Sequence, residues 1–134
     1  MAEEKKFENV VVQGMEDGFF EGRPAIQEFQ FTKDPDGKLE GVIDVFGDGS
    51  LFAILTPGHT AGHLSYLART PTGPVLFTGD ACHTRWGWEH GVEPGSFTFE
   101  RESERKSLLQ LKALSERHPN MIVRLGHQPW VRRS

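Results

Sequence analysis

Short apolar runs separated by turn residues fill the middle of the chain, and this pattern predicts a set of β-strands. The runs lie at 42–46, 51–55, 63–69, 74–78 and 121–125. Sequences rich in glycine, proline and aspartate separate several of them, as hairpin turns do. Because the runs are nearly continuous in apolar residues, we expect a sheet that is buried on both faces and needs another layer over it.

Residues 1–41 have the least regular pattern. Val10-Val11-Val12 predicts a short strand. The Asp34-Pro35-Asp36-Gly37 sequence predicts a turn, because proline presets φ and glycine accepts a positive φ. This turn can join two hairpin strands, near 28–32 and 39–46.

A helix is predicted from about 101 to 117, because leucines recur on one face at Leu108, Leu111 and Leu114. Glutamates at positions 100, 102 and 104 lie at its N-terminal end, where the helix dipole favours negative charge. Pro119 ends the helix. The segment 81–99 shows no period and is predicted to be a long loop.

Composition and charge narrow the class of protein. A length of 134 residues, 37% of them hydrophobic and 25% charged, predicts one globular domain over 1–134. The net charge of −4 and the lack of a basic stripe argue against a nucleic-acid partner. No apolar run is long enough for a membrane span. The single cysteine, Cys82, and an N-terminus without signal-peptide character favour the cytoplasm.

Three polar side chains, His59, Asp80 and His127, each follow a predicted strand, and a glycine precedes each one. Strand ends bring distant parts of a sequence together, and two imidazoles with a carboxylate suit zinc, iron or manganese. Taken one at a time, a loop histidine is usually solvated and Gly-Asp is a common turn dipeptide. Their joint placement favours a metal site.

Three sequences in the chain resemble motifs of the metallo-β-lactamase superfamily. Residues 56–63 resemble its Thr-Pro-Gly-His-Thr-x-Gly-His loop, residues 76–80 its strand followed by Gly-Asp, and residues 125–127 its closing Gly-His. Their order and spacing also fit, and the resemblance covers about residues 38–130. The eight-residue loop is the specific part, since Gly-Asp and Gly-His alone are common.

The resemblance implies an α/β layered fold that corresponds to the C-terminal portion of an αββα sandwich, with a mixed sheet and a covering helix. It implies a centre of one or two metals, usually zinc, with His59 and His127 as ligands of different metals and Asp80 bridging them. The implied activity is hydrolysis of an ester, lactone or thioester of a small-molecule substrate by metal-bound hydroxide. His63 matches a histidine that is not normally a ligand, and we expect it to be structural.

The Asp80-Ala81-Cys82-His83 sequence looks most like the lactonase and glyoxalase II-like branches, where a tyrosine near the substrate often stands at the position of His83. His83 is therefore either a catalytic substrate-side acid or a surface-loop residue. The aromatic residues nearby either line a substrate pocket or pack the loop: Trp86, Trp88 and Phe97. Cys82 is expected to be a small buried filler.

The leading superfamily signature, His-x-His-x-Asp-His, does not occur in this chain, where His59 is the first histidine. Three interpretations stay open. The chain is a fragment that lacks an N-terminal half, or it pairs with another copy in a homodimer that imitates the pseudo-twofold fold. In the third, it is a non-catalytic binding or interaction module whose metal site has degraded.

Overall fold

A computed structural model describes residues 29–128, and a five-stranded sheet organises them. The strands lie side by side in sequence order: β1 (Val42–Asp44), β2 (Leu51–Leu55), β3 (Leu64–Thr70), β4 (Gly73–Phe77) and β5 (Ile122–Arg124). β1 to β4 are antiparallel, and β5 runs parallel to β4. Two helices, α1 (Arg85–His90) and α2 (Arg101–Arg117), lie between β4 and β5. The predicted mixed sheet with a covering helix is confirmed.

The predicted N-terminal hairpin is reduced to one bridge in the structure. Thr32 pairs with Val42 alone, and β1 covers only three of the residues predicted over 39–46. The turn itself is confirmed, because the carboxylate of Asp34 accepts hydrogen bonds from the backbone N–H groups of Asp36 and Lys38. Residue 28 and the predicted strand at 10–12 lie outside the described residues.

The core lies between α2 and one face of the sheet. The strand register places Ile54 and Leu76 on this face, and both are almost completely buried. Leu111 and Leu114 of α2 pack against them, so the predicted leucine face of the helix is confirmed. The sheet and α2 therefore form one two-layer unit.

The opposite face of the sheet carries apolar side chains that are only partly buried. Leu55, Tyr66 and Phe77 are half-buried there, and Ile122 is 40% exposed. Within residues 29–128 both helices lie on the other face, where Trp88 of α1 and Leu111 of α2 join the core. The expected second layer is thus absent from the described part of the chain.

A short helix lies in the segment 81–99, so the prediction of a long loop there was wrong. Thr84 caps α1, since its hydroxyl accepts a hydrogen bond from the N–H of Gly87 at 3.1 Å. Gly91 ends the helix with a φ of 65°, a conformation that glycine adopts at no steric cost. Six residues are too few to show a helical period, although both capping residues are visible in the sequence. In residues 29–128 neither helix is long and apolar enough to cross a membrane.

The loop between α1 and α2 is anchored by a buried carboxylate, Glu93, which is 3% exposed. Arg105 and Arg101 of α2 both donate to it, with N–O distances of 2.8–3.1 Å. The hydrogen bonds from Arg105 are the main cause that lowers the pKa of Glu93 to about 2. These paired charges fix the loop to the start of the helix.

We expect Glu93→Gln to lower the free energy of unfolding at neutral pH. Because the pKa of Glu93 in the folded protein is lowered to about 2, its charge stabilises the fold above about pH 4.5. That contribution is lost as the pH falls toward 2, where wild type and variant should converge. Urea unfolding at several pH values measures this. Glu89→Gln is the matched control, since Glu89 contacts Arg85 at 3.9 Å on the surface; an equal effect of both variants would contradict the expectation.

Candidate metal centre

Asp80 is the centre of a group of histidines at one edge of the sheet. It lies directly after β4 in a short 3-10 turn, Gly79–Ala81. Its Oδ1 is 3.0 Å from Nε2 of His127 and 3.4 Å from Nε2 of His83. Its Oδ2 is 3.5 Å from Nε2 of His59. The two carboxylate oxygens therefore face different histidines.

All three residues predicted as metal ligands, His59, Asp80 and His127, are brought together in the structure. The tightest set of possible ligands among the described residues is different, however. One ligand atom each from Asp80, His83 and His127 lie within 4.8 Å of one another. His59 stands on the other side of the carboxylate, so its role as a metal ligand stays a prediction.

His63 holds the backbone of Asp80 in place. Its Nε2 accepts a hydrogen bond from the N–H of Asp80 at 3.0 Å, so Nδ1 carries the proton and can donate to the backbone oxygen of Thr56 at 3.1 Å. Burial lowers the pKa of His63, which favours this neutral form. A Cβ on Gly79 would lie 2.9 Å from the same Nε2, and Gly79 has a φ of 55°, so both the contact and the backbone favour glycine there. The predicted structural role of His63 is confirmed.

The loop that carries His59 is fixed against the N-terminus of α2. Gly58 has a φ of 139°, and a Cβ on it would lie 2.3 Å from the backbone of Glu104. Its carbonyl accepts from the N–H of Glu100 at 2.8 Å, and the hydroxyl of Ser107 donates to the carbonyl of Pro57 at 2.8 Å. Helix and loop therefore pack backbone to backbone.

The loops after β4 and β5 are joined by backbone hydrogen bonds. The N–H of Gly126 donates to the carbonyl of Cys82 at 3.0 Å, and the N–H of His127 donates to that of His83 at 3.1 Å. A Cβ on Gly126 would lie 2.5 Å from the carbonyl oxygen of Gly79. These contacts set the distance between the two imidazoles and Asp80.

Two buried ring nitrogens of this group have no hydrogen-bond partner. Nδ1 of His59 and Nε2 of His83 are both buried and unpaired. Burial, followed by the nearby His127, lowers the pKa of His83, so its imidazole is neutral at neutral pH and keeps a free lone pair. Neutral imidazoles and a carboxylate are the donors that divalent transition metals bind, and unpaired buried nitrogens are what such an ion would satisfy. The residues therefore fit a metal.

The three aromatic residues predicted to line a pocket or pack the loop differ in their contacts. Phe97 is 71% exposed, and its ring centroid is 6.3 Å from that of His83. Trp88 packs against the core, whereas Trp86 is 60% exposed and stacks on His90. Of the three aromatic residues predicted to line a pocket, only Phe97 contacts a ring of the site.

Cys82 is completely buried, and burial raises the pKa of its thiol to about 11. A thiol with so high a pKa carries no charge at neutral pH. The prediction that it is a buried filler is confirmed.

Glu104 is a buried residue beside the loop that carries His59, and its place at the N-terminal end of the helix was all that the sequence predicted. It is completely buried, and this burial raises the pKa of its carboxyl group. The hydroxyl of Thr98 donates to Oε2, while Oε1 has no partner. The signal was present in the spacing, because position 104 falls on the same helix face as Leu108 and Leu111.

Comparisons of the sequence and of the structure with known proteins agree on one family. The family model described as "Metallo-beta-lactamase superfamily" matches residues 4–127. The N-acyl homoserine lactonase AttM of Agrobacterium fabrum is 39% identical over 94 residues, which cover 69% of this chain and 35% of the relative. The gamma-lactamase MBL2 of Gibberella moniliformis is 41% identical over 70 residues, which cover 48% of this chain and 28% of the relative. The resemblance inferred from the motifs is confirmed.

Solved structures show the same relationship. An N-acyl homoserine lactone hydrolase with its product N-hexanoyl-L-homoserine at the catalytic metal centre matches with a TM-score of 0.58 and 32% identity. A mutant of AiiA from B. thuringiensis with bound N-decanoyl-L-homoserine matches equally well. Each match covers 66% of this chain and 34% of the solved chain. The chain thus spans about a third of the length of these relatives.

We expect Gly58→Ala to destabilise the fold more than Gly37→Ala does. Both glycines have a positive φ, 65° at Gly37 and 139° at Gly58, and the left-handed conformation of Gly37 costs a non-glycine residue about 1–2 kcal/mol. A Cβ at Gly37 meets nothing within 4 Å, whereas at Gly58 it collides with the backbone of Glu104. Urea unfolding of both variants measures the difference. Equal losses of stability would show that the contact between loop and helix is not as close as described.

Proposed function

The chain belongs to the metallo-β-lactamase superfamily, and from this premise we propose that it is a metal-dependent hydrolase of lactones. The observation that carries the proposal is the convergence of three histidines on the carboxylate of Asp80, each with a nitrogen within 3.5 Å of a carboxylate oxygen. The lactone is favoured over other esters and thioesters because the curated relative AttM and the solved relatives are named for acyl homoserine lactones.

A divalent metal would be held by Asp80 and His127, with His59 facing the other carboxylate oxygen. Zinc, iron and manganese all accept these donors. Such a metal supplies Lewis-acid polarisation of a carbonyl group and lowers the pKa of coordinated water. His63 contributes indirectly, since it orients the backbone of Asp80.

The proposed reaction is the opening of a cyclic ester by water. A bond forms between the water oxygen and the carbonyl carbon, and the bond from that carbon to the ring oxygen breaks. One proton of the water goes to the ring oxygen, which becomes a hydroxyl group, and the other is released to solvent, so that the other end of the product is a carboxylate. Phe97 and Phe99, which are 71% and 85% exposed, offer apolar surface beside the site for an acyl chain.

The partly buried face of the sheet is the surface on which a second layer would pack. In the proposed arrangement this face packs against a second sheet, supplied by another part of the protein or by another copy of this chain, as in an αββα sandwich. The competing function is a non-catalytic binding or interaction module whose metal site has degraded. Light scattering tests whether another copy supplies the second sheet, because it distinguishes a monomer from a homodimer.

We expect protein purified without chelator to carry at least about one divalent metal ion per chain. Asp80→Asn and His127→Ala should lose the metal, because each removes a donor of the group. Elemental analysis measures metal content. A panel of acyl homoserine lactones, simple esters and thioesters, assayed with zinc and with manganese, measures hydrolysis.

His118→Ala is the matched control, since His118 is an exposed histidine after α2 and lies outside the site. It should keep both metal and activity. A wild-type chain that binds no metal would contradict the proposal and support the non-catalytic module. Bound metal without hydrolysis of any lactone would contradict the proposed substrate class alone.

A further inference from the structure

We infer that His83 is a metal ligand, and that Asp80, His83 and His127 form a three-donor site for one divalent cation. The inference rests on the metal dependence proposed above. It gives His83 a place in the metal centre, in contrast to the substrate-side acid or surface-loop residue predicted from the sequence.

Two distances within the group match those between ligands of one ion. From Oδ1 of Asp80, Nε2 of His127 lies at 3.0 Å and Nε2 of His83 at 3.4 Å. Bonds of about 2.0–2.2 Å place neighbouring ligands about 3.0 Å apart at right angles and about 3.4 Å apart in tetrahedral geometry. The third distance, between the ligand atoms of His83 and His127, is within 4.8 Å, so one ion would draw the two imidazoles closer together.

The environment of His83 requires a partner for Nε2. This nitrogen is buried and makes no hydrogen bond, and its contact with Asp80 at 3.4 Å lacks hydrogen-bond geometry. The side chain is only 16% exposed, so His83 is not the surface-loop residue that the sequence left possible. Buried polar atoms without partners are rare in folded proteins and call for an explanation such as an ion. A metal would accept the free lone pair.

The backbone of His83 is held in place before any ion binds. Its carbonyl accepts the N–H of His127, and the two imidazole rings stack with centroids 3.9 Å apart and planes 28° apart. Nε2 of each ring lies within 3.4 Å of Oδ1 of Asp80, so the loops after β4 and β5 bring three donors together, and the stacked rings would rotate apart to direct both lone pairs at one ion. Because backbone hydrogen bonds already join the loops, ion binding would reorient the side chains and leave the order of the loops unchanged.

The two sides of Asp80 differ in the number of donors. On the Oδ2 side the described residues offer only His59, at 3.5 Å. On the Oδ1 side they offer His83 and His127 together. Three protein ligands with an open fourth position are the pattern of catalytic zinc sites, and two histidines with one carboxylate also suit iron(II). The Oδ1 side therefore offers three donors for one ion within residues 29–128.

His83→Phe tests the inference, because phenylalanine keeps a ring against His127 and removes both nitrogens. Metal-free full chain is titrated with Co²⁺ and Zn²⁺, and affinity and the visible Co²⁺ spectrum are recorded. We expect the variant to bind more weakly than wild type by more than the roughly 10–100-fold that loss of an outer hydrogen-bond partner costs. The Co²⁺ spectrum should change, and His118→Ala should match wild type in both readouts.

Side-chain ¹⁵N NMR of the wild-type chain gives a measurement that does not depend on the folding of a variant. On addition of Zn²⁺, the Nε2 signals of His83 and His127 should both shift, while that of His118 should not. If wild type binds metal but His83→Phe binds equally well and the His83 signal stays unchanged, the inference is overturned and the proposed function stands. If wild type binds no metal, both fail.

Discussion

The N–H of Asp80 donates to Nε2 of His63, and this hydrogen bond couples the sheet to the chemistry at its edge. His63 is itself held by the backbone of Thr56 at the end of β2, so the position of Asp80 depends on two strands at once. With its backbone fixed in this way, Asp80 can direct one carboxylate oxygen toward His59 and the other toward His127. Loss of this constraint would leave the histidines without a common centre.

Three glycines make that arrangement sterically possible. A Cβ at Gly58 would collide with the backbone of Glu104, one at Gly79 with the ring of His63, and one at Gly126 with the carbonyl of Gly79. Each glycine immediately precedes a loop residue of the candidate site, namely His59, Asp80 or His127. In each Gly-His or Gly-Asp pair, the glycine allows close contact with a neighbouring part of the chain. The absence of its side chain is therefore as necessary as the candidate ligand that follows it.

Strands and the long helix could be predicted because each repeats its pattern over enough residues. β2 to β4 and the leucine face of α2 follow this rule, whereas α1 has six residues and shows itself only by its caps, Thr84 and Gly91. Burial of Glu104 was missed because its charge was related only to the helix dipole, although its spacing places it on the apolar helix face. The position of His83 could not be read from sequence, since it depends on hydrogen bonds to a loop 44 residues farther along the chain, at His127.

The unequal sides of Asp80 have a consequence for how the protein would use a metal. His59 faces one oxygen with Nδ1 buried and unpaired, whereas His83 and His127 face the other within loops that are already joined. Metal affinity rises with the number of donors that are fixed in advance, so the Oδ1 side would fill first. An ion bound there would draw charge from Asp80 and weaken the attraction of Oδ2 for a second cation. His59 then requires donors from beyond residues 29–128 to hold a metal of its own, which makes the two sides of one carboxylate functionally distinct.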